Sequence, residues 1–300
     1  MFNLLYIITL IGTLLSPAGL NQASGNPSAL HLENSKPNFV STPIQESVQP
    51  VLKTVINDSS NFDNRDYQTL ITKLGINLHP ASSFSTAGGN GTESELDHCA
   101  ELTYLTLEKV PYDISSKVKD LTLHFDNSAR RGLGGGGTII LRCSNETDQE
   151  LVGVLMHELG HVADSSLLIG HFWSGNSEFV DGKNPVYNDD LSLDFYRISF
   201  SNEKTIKAQS TKEDFVSGYA MSDPFEDFAE TFNFYVLHGQ EFRAMKTTDS
   251  ALNQKYNFMK DKVFAGQEFG FDTVNSAQDF AARDYDSTLI SFNLKNFIAF

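Results

Sequence analysis

The sequence predicts an α+β fold, and three observations carry that expectation: a pair of strand-like runs, an amphipathic helix directly after them, and a second, more apolar helix further on. The runs are "LTLHF" (121–125) and "TIILRC" (138–143), short and rich in β-branched and large apolar residues. The first helix is signposted by Thr147, which forms a capping box with Glu150 three residues on, and by Leu151, Leu155, Leu159 and Val162 at helical spacing. The second opens with Asp223 as N-cap and Pro224 in the first helical position. Phe225, Phe228, Ala229 and Phe232 supply its buried face, and Gly239 is the expected stop.

With 300 residues, 40% hydrophobic and 20% charged, the chain is large enough for one sizeable domain or two small ones. A net charge of -16 with no basic cluster argues against a nucleic-acid footprint or an anionic membrane surface as partner. The N-terminus, "MFNLLYIITLIGTLLSPAGLNQA", has an apolar run from Leu4 to Leu15 closed by Pro17 and Gly19. It reads as a secretory signal over 1–18, with cleavage as late as 23, although no Lys or Arg precedes the run. The run is shorter than the roughly 20 residues a spanning helix needs, so no integral membrane span is expected after its removal. A buried N-terminal helix is the alternative. Residues 19–53, rich in Ser, Asn, Pro and Gln, read as a linker or pro-segment, which leaves 54–300 as the domain.

The only two cysteines, Cys99 and Cys143, fit an exported protein with one disulfide, worth roughly 4 kcal/mol in the chain-entropy picture. In a reducing compartment they would be two buried thiols. Sequons stand at Asn57, Asn90 and Asn145 and matter only in a host that glycosylates. Between the two strand-like runs lies "RRGLGGGG", in which Gly132, Gly134 and Gly137 formally satisfy a dinucleotide fingerprint. The context fails it, because such a loop must open a helix whose amides hold phosphate, whereas these glycines lead into a strand. A glycine-rich turn between strands is the better reading.

The chemistry is concentrated in "ELVGVLMHELGHVAD" (150–164). Two imidazoles four residues apart on a helix can converge on one zinc ion at about 2.0 to 2.1 Å, and a glutamate after the first can take a proton from water beside the metal. His157, Glu158 and His161 fit that pattern. A third ligand is needed, since the pattern arises by chance in on the order of one chain per hundred. The metzincin arrangement would place a histidine six residues after the second, where Leu167 stands, so that class is excluded. Glu226 and Glu230, one turn apart on the second helix, are the remaining candidates; taken alone they are equally a solvated acidic face. His31, His79, His98, His124, His171 and His238 lack ligand spacing and read as structural or surface residues.

Taken together, "HELGHVAD" and "SGYAMSDPFEDFAETF" resemble the gluzincin zinc peptidases of the anthrax lethal factor type, which include the Pro-Pro endopeptidases. The match rests on His157, Glu158, His161, Asp164, Tyr219, Glu226 and Glu230, and it covers about residues 120–240. It implies a zincin-like fold: a small sheet with an edge strand beside the histidine helix and a second, glutamate-bearing helix. His157, His161 and Glu226 would be ligands of one zinc per chain, Glu158 the general base, and Tyr219 the hydrogen-bond donor to the oxyanion. Asp164 and Glu230 would orient ligand histidines, as metal-bound imidazoles require. The strand before the helix, Thr138–Cys143, would bind a polypeptide substrate as an added edge strand. Two departures are visible. The gap from His161 to Glu226 is longer than in lethal factor, so "WSGNSEFVDGKNPVYNDDLSLDFYRISF" is expected to be an inserted lid or specificity element. The Asn-Glu motif of thermolysin is absent.

These readings converge on a secreted, periplasmic or extracellular zinc endopeptidase that hydrolyses peptide bonds with metal-activated water. Alternatives are a catalytically inactive relative that binds peptide or cell-wall partners, and a zinc amidase acting on a non-protein amide.

Overall fold

The computed structural model describes residues 66–80, 92–125, 130–144, 146–270 and 285–299. The expected signal segment, the linker and all three sequons lie outside these residues. Within them the architecture is α+β, and no helix is long and apolar enough to cross a membrane.

The main sheet has four strands in the order β1-β2-β4-β3: β1 (Asn77–Pro80), β2 (Asp120–His124), β4 (Thr138–Arg142) and β3 (Gly132–Gly135). β1, β2 and β4 run parallel, and β3 returns antiparallel to β4 through a two-residue turn. Gly136 and Gly137 make that turn with φ of 56° and 82°, backbone that only glycine adopts at little cost. On one face Leu121 and Leu123 of β2 and Ile139 and Leu141 of β4 are buried side by side, the period-2 pattern of a strand with one side on the core. The pairing corrects an expectation. Thr138–Cys143 is not at the edge, because β2 and β3 flank β4 on both sides; the edge strands are Asn77–Pro80 and Gly132–Gly135.

The histidine helix, Asp148–Val162, packs across β3 and β4, and the glutamate helix, Pro224–Leu237, packs on its other side. The crossing is close because Gly160 has no side chain: a Cβ there would lie 2.8 Å from the Ala229 Cα. Asn233 reinforces it by donating to the Gly153 carbonyl oxygen at 2.6 Å. Thr147 caps the histidine helix by accepting from the Glu150 amide, but only half of the expected capping box forms. The Glu150 carboxylate instead receives the Arg131 guanidinium at 2.8 Å, a charged partner that outcompetes a backbone amide. Asp223 and Pro224 start the glutamate helix as expected, with Asp223 accepting from the amides of Phe225 and Glu226. Gly239 does not stop it by a left-handed turn. It begins the next helix, Gly239–Met245, where a Cβ would meet the Phe269 carbonyl oxygen at 2.4 Å.

Phenylalanines fill the space beneath: Phe228 meets Phe195 and Phe258 edge to face, and Phe232 leans on Phe264. Within this apolar layer Lys255 is fully buried, 2.6 Å from Asp227 of the glutamate helix, and its ammonium also donates to the Asp214 carbonyl oxygen. The segment expected as a lid is in part structural. Its hairpin β5–β6 (Asn176–Asp181, Asn184–Tyr187) puts Phe179 and Val186 into the core, and the helix Leu193–Ser199 buries Leu193, Phe195 and Tyr196 there. Cys99, on the helix Glu93–Leu107, is bonded to Cys143 at the end of β4.

Candidate metal centre

The four-residue spacing on one helix brings the Nε2 atoms of His157 and His161 to 3.1 Å from each other. Glu226, at the start of the facing helix, places Oε2 3.2 Å from the first and 3.4 Å from the second. That oxygen is buried, and the two imidazoles are the groups that face it. The three donor atoms therefore form a nearly equilateral triangle. Tetrahedral zinc with bonds of about 2.0 to 2.1 Å requires donor separations of about 3.3 to 3.4 Å, so the triangle fits that ion. Among the described residues this His-His-Glu group is the one set of three or more such side chains that can hold a metal.

The surroundings prepare the donors. His157 Nδ1 lies 2.8 Å from Glu230 Oε1, so the ring donates its Nδ1 proton there and turns Nε2 toward the other two donors. The other oxygen of Glu230 accepts from the Ser217 hydroxyl at 2.5 Å and from the Ser287 amide at 2.8 Å. Burial works to raise the Glu226 carboxyl, but the two imidazoles outweigh it and hold it well below the usual range. Burial likewise works to lower both histidines, and the facing carboxylates raise them instead, His157 strongly.

Glu158 follows His157 and lies against the edge strand. A Cβ on Gly132 would stand 2.3 Å from its Oε1, and one on Gly134 2.9 Å from its Oε2 and 2.5 Å from its backbone oxygen. The two glycines, on one face of β3, thus leave room for the carboxylate. Burial raises its pKa, which the two nearby histidines partly offset. The glycine run therefore serves as an edge strand that admits a carboxylate, in addition to the turn expected from the sequence. Tyr219 sits on a short turn before the glutamate helix, its ring stacked on His157 with centroids 6.1 Å apart. Burial and the Glu226 carboxylate both push its phenol up, so it remains a proton donor at neutral pH.

Asp164 departs from its expected place. It is buried, with no hydrogen bond to a histidine; it accepts from the Ser192 hydroxyl and, at 2.5 Å, from Tyr196 OH. Burial lifts its carboxyl to about 7. The histidine helix widens into a π-type turn over Ala163–Leu167, and that turn points Asp164 at the inserted segment. Asp164 therefore anchors the segment to the end of the helix. Three residues went unread in the sequence: Ser217 and Ser287, which hold Glu230, and Arg131, which joins Glu150 to Asp286. The alternation Gly132, Gly134 in a strand just before the histidine helix was a usable signal for vacated Cβ positions; Ser287 carried none.

Residues 142–287 match a family model described as "Putative zinc-binding metallo-peptidase". The likeness of this segment supports a zinc metallopeptidase at a coarse level and agrees with the His-His-Glu group that could hold a metal. No curated protein matches the chain.

Proposed function

We propose that the chain is an exported endopeptidase holding one zinc ion through His157, His161 and Glu226, of the kind represented by lethal factor and the Pro-Pro endopeptidases. The observation that carries the reading is the donor triangle, with Glu226 Oε2 buried against both imidazoles and His157 oriented by Glu230. When bound, zinc supplies a Lewis acid and activates water at neutral pH. Glu158, buried with its pKa raised, takes the proton of the attacking water and returns it to the leaving amine. The Tyr219 phenol donates to the carbonyl oxygen as charge develops there. Gly132–Gly135, the edge strand beside the histidine helix, pairs through Gly132 and Leu133 with the extended peptide backbone, in the place first expected of Thr138–Cys143. Asp164 is left out of this scheme and Glu230 kept in it. Export rests on the apolar N-terminus and is consistent with the Cys99–Cys143 bond.

The test is to incubate purified protein with a peptide library, with and without a chelator, and to read cleavage by mass spectrometry. Chelator-sensitive cleavage that Glu158→Gln abolishes while keeping its zinc supports the reading. A library left uncut by zinc-loaded protein refutes it.

A further inference from the structure

We infer that Tyr285 is a specificity-determining residue, an aromatic platform for a bulky apolar side chain of an extended peptide; this rests on the peptidase reading. Three observations support it.

First, the ring is 70% exposed, yet it stands close to the donors. Its centroid is 5.9 Å from that of Tyr219, which is in turn 6.1 Å from His157. Second, the backbone that presents it is pinned at successive residues. The Tyr285 carbonyl oxygen accepts from the Tyr219 amide at 2.5 Å, and the Ser287 amide donates to Glu230. Asp286 and the Thr288 hydroxyl both receive Arg131, the residue that leads into the edge strand. Gly218 completes the fit, since a Cβ there would come within 3.0 Å of the Tyr285 ring. An exposed aromatic on a fixed backbone loses little freedom when a ligand covers it, the usual property of a recognition residue. Third, the edge strand cannot select by side chain. Three of its four residues are glycine, and Gly134 and Gly135 are buried, so the part that reaches the surface offers a peptide little beyond backbone groups. Discrimination between peptides has to come from neighbours of the strand, and Tyr285 is tied to its start through Asp286 and Arg131.

The experiment separates binding from cleavage. Zinc-loaded Glu158→Gln protein is used to capture peptides from a random library, which are identified by mass spectrometry, and wild type is run on the same library for cleavage. Adding Tyr285→Ala to the capture protein should reduce enrichment of peptides with a large apolar residue at one position by roughly three- to tenfold, and Tyr285→Phe should preserve it. In the cleaving enzyme Tyr285→Ala should raise KM for such peptides, with kcat and zinc content nearly unchanged. If wild type cuts but capture and cleavage preferences survive Tyr285→Ala, the platform is wrong and the peptidase reading stands. If wild type cuts nothing while capture still depends on Tyr285, the peptidase reading fails and the platform stands. Capture indifferent to Tyr285, together with no cleavage, overturns both.

Discussion

Gly160 and Ala229 meet where the histidine and glutamate helices cross, so close that a Cβ on the glycine would lie 2.8 Å from the alanine Cα. The contact sets the distance between the helix that carries His157 and His161 and the helix that carries Glu226. Gly160→Ala is expected to push the helices apart, costing about 1 to 3 kcal/mol and spreading the donors. Urea denaturation and metal analysis check this. A Gly160→Ala protein with wild-type zinc and midpoint would mean that the crossing does not set the donor spacing.

Glu230 fixes the His157 tautomer, and that role is separable from ligation. Glu230→Gln keeps an acceptor but loses the charge that strengthens the bond to Nδ1. Zinc affinity should fall about 10- to 100-fold in competition with a chelator of known strength. Glu226→Ala should fall further, because it removes a donor. An unchanged affinity in Glu230→Gln would reduce that residue to a packing role.

Tyr219→Phe keeps the ring on His157 and removes the donor. Turnover should drop on the order of 100- to 1,000-fold with little change in KM and none in zinc content. Unchanged turnover would make Tyr219 a structural aromatic.

His238 gives the fold a pH dependence of its own. The ring is 2% exposed between Phe234 and Phe292, and burial lowers its pKa to about 3. An unfolded histidine titrates near 6.5, so between those values the unfolded chain binds the extra proton and the folded chain does not. This contribution to stability is whole above about 6.5 and is lost as pH falls, by about 1.4 kcal/mol per pH unit until the folded pKa is reached. Urea midpoints of wild type and His238→Phe between pH 7 and 4.5 should diverge, the wild type falling more steeply. Parallel slopes would refute the assignment.

Legibility in the sequence followed how local the cause was. The His157–His161 spacing, the Asp223–Pro224 start and the phenylalanine face of the glutamate helix are set within one or two turns of helix, and each reads directly. β3 does not, because Gly132–Gly135 has almost no intrinsic strand preference; pairing with β4 and the need to admit Glu158 make it a strand. The family resemblance implied that β4 is an edge, and it is an inner strand because β3 pairs on its outer side. Asp164 lies one residue into the π-type turn, and the direction it faces depends on Ser192 and Tyr196, far along the chain. Glu150 had two possible partners, and only the fold brings Arg131 within reach of it. The pieces contributed by Ser217, Tyr285 and Ser287 are single residues in irregular backbone, where no periodicity marks them.

Because the donors come from two helices distant in sequence, an ion that fills the triangle binds the folded chain and finds no such site in the unfolded one. Melting temperature therefore serves as an occupancy gauge that needs no substrate. Each tenfold excess of free ion over its dissociation constant should add about 1.4 kcal/mol of stability, until folding is no longer the limiting equilibrium. Ranking zinc, cobalt, manganese and calcium by thermal shift would order the metals by fit. Calcium, which takes six to eight oxygens, should rank last at a centre built from two imidazoles and a carboxylate.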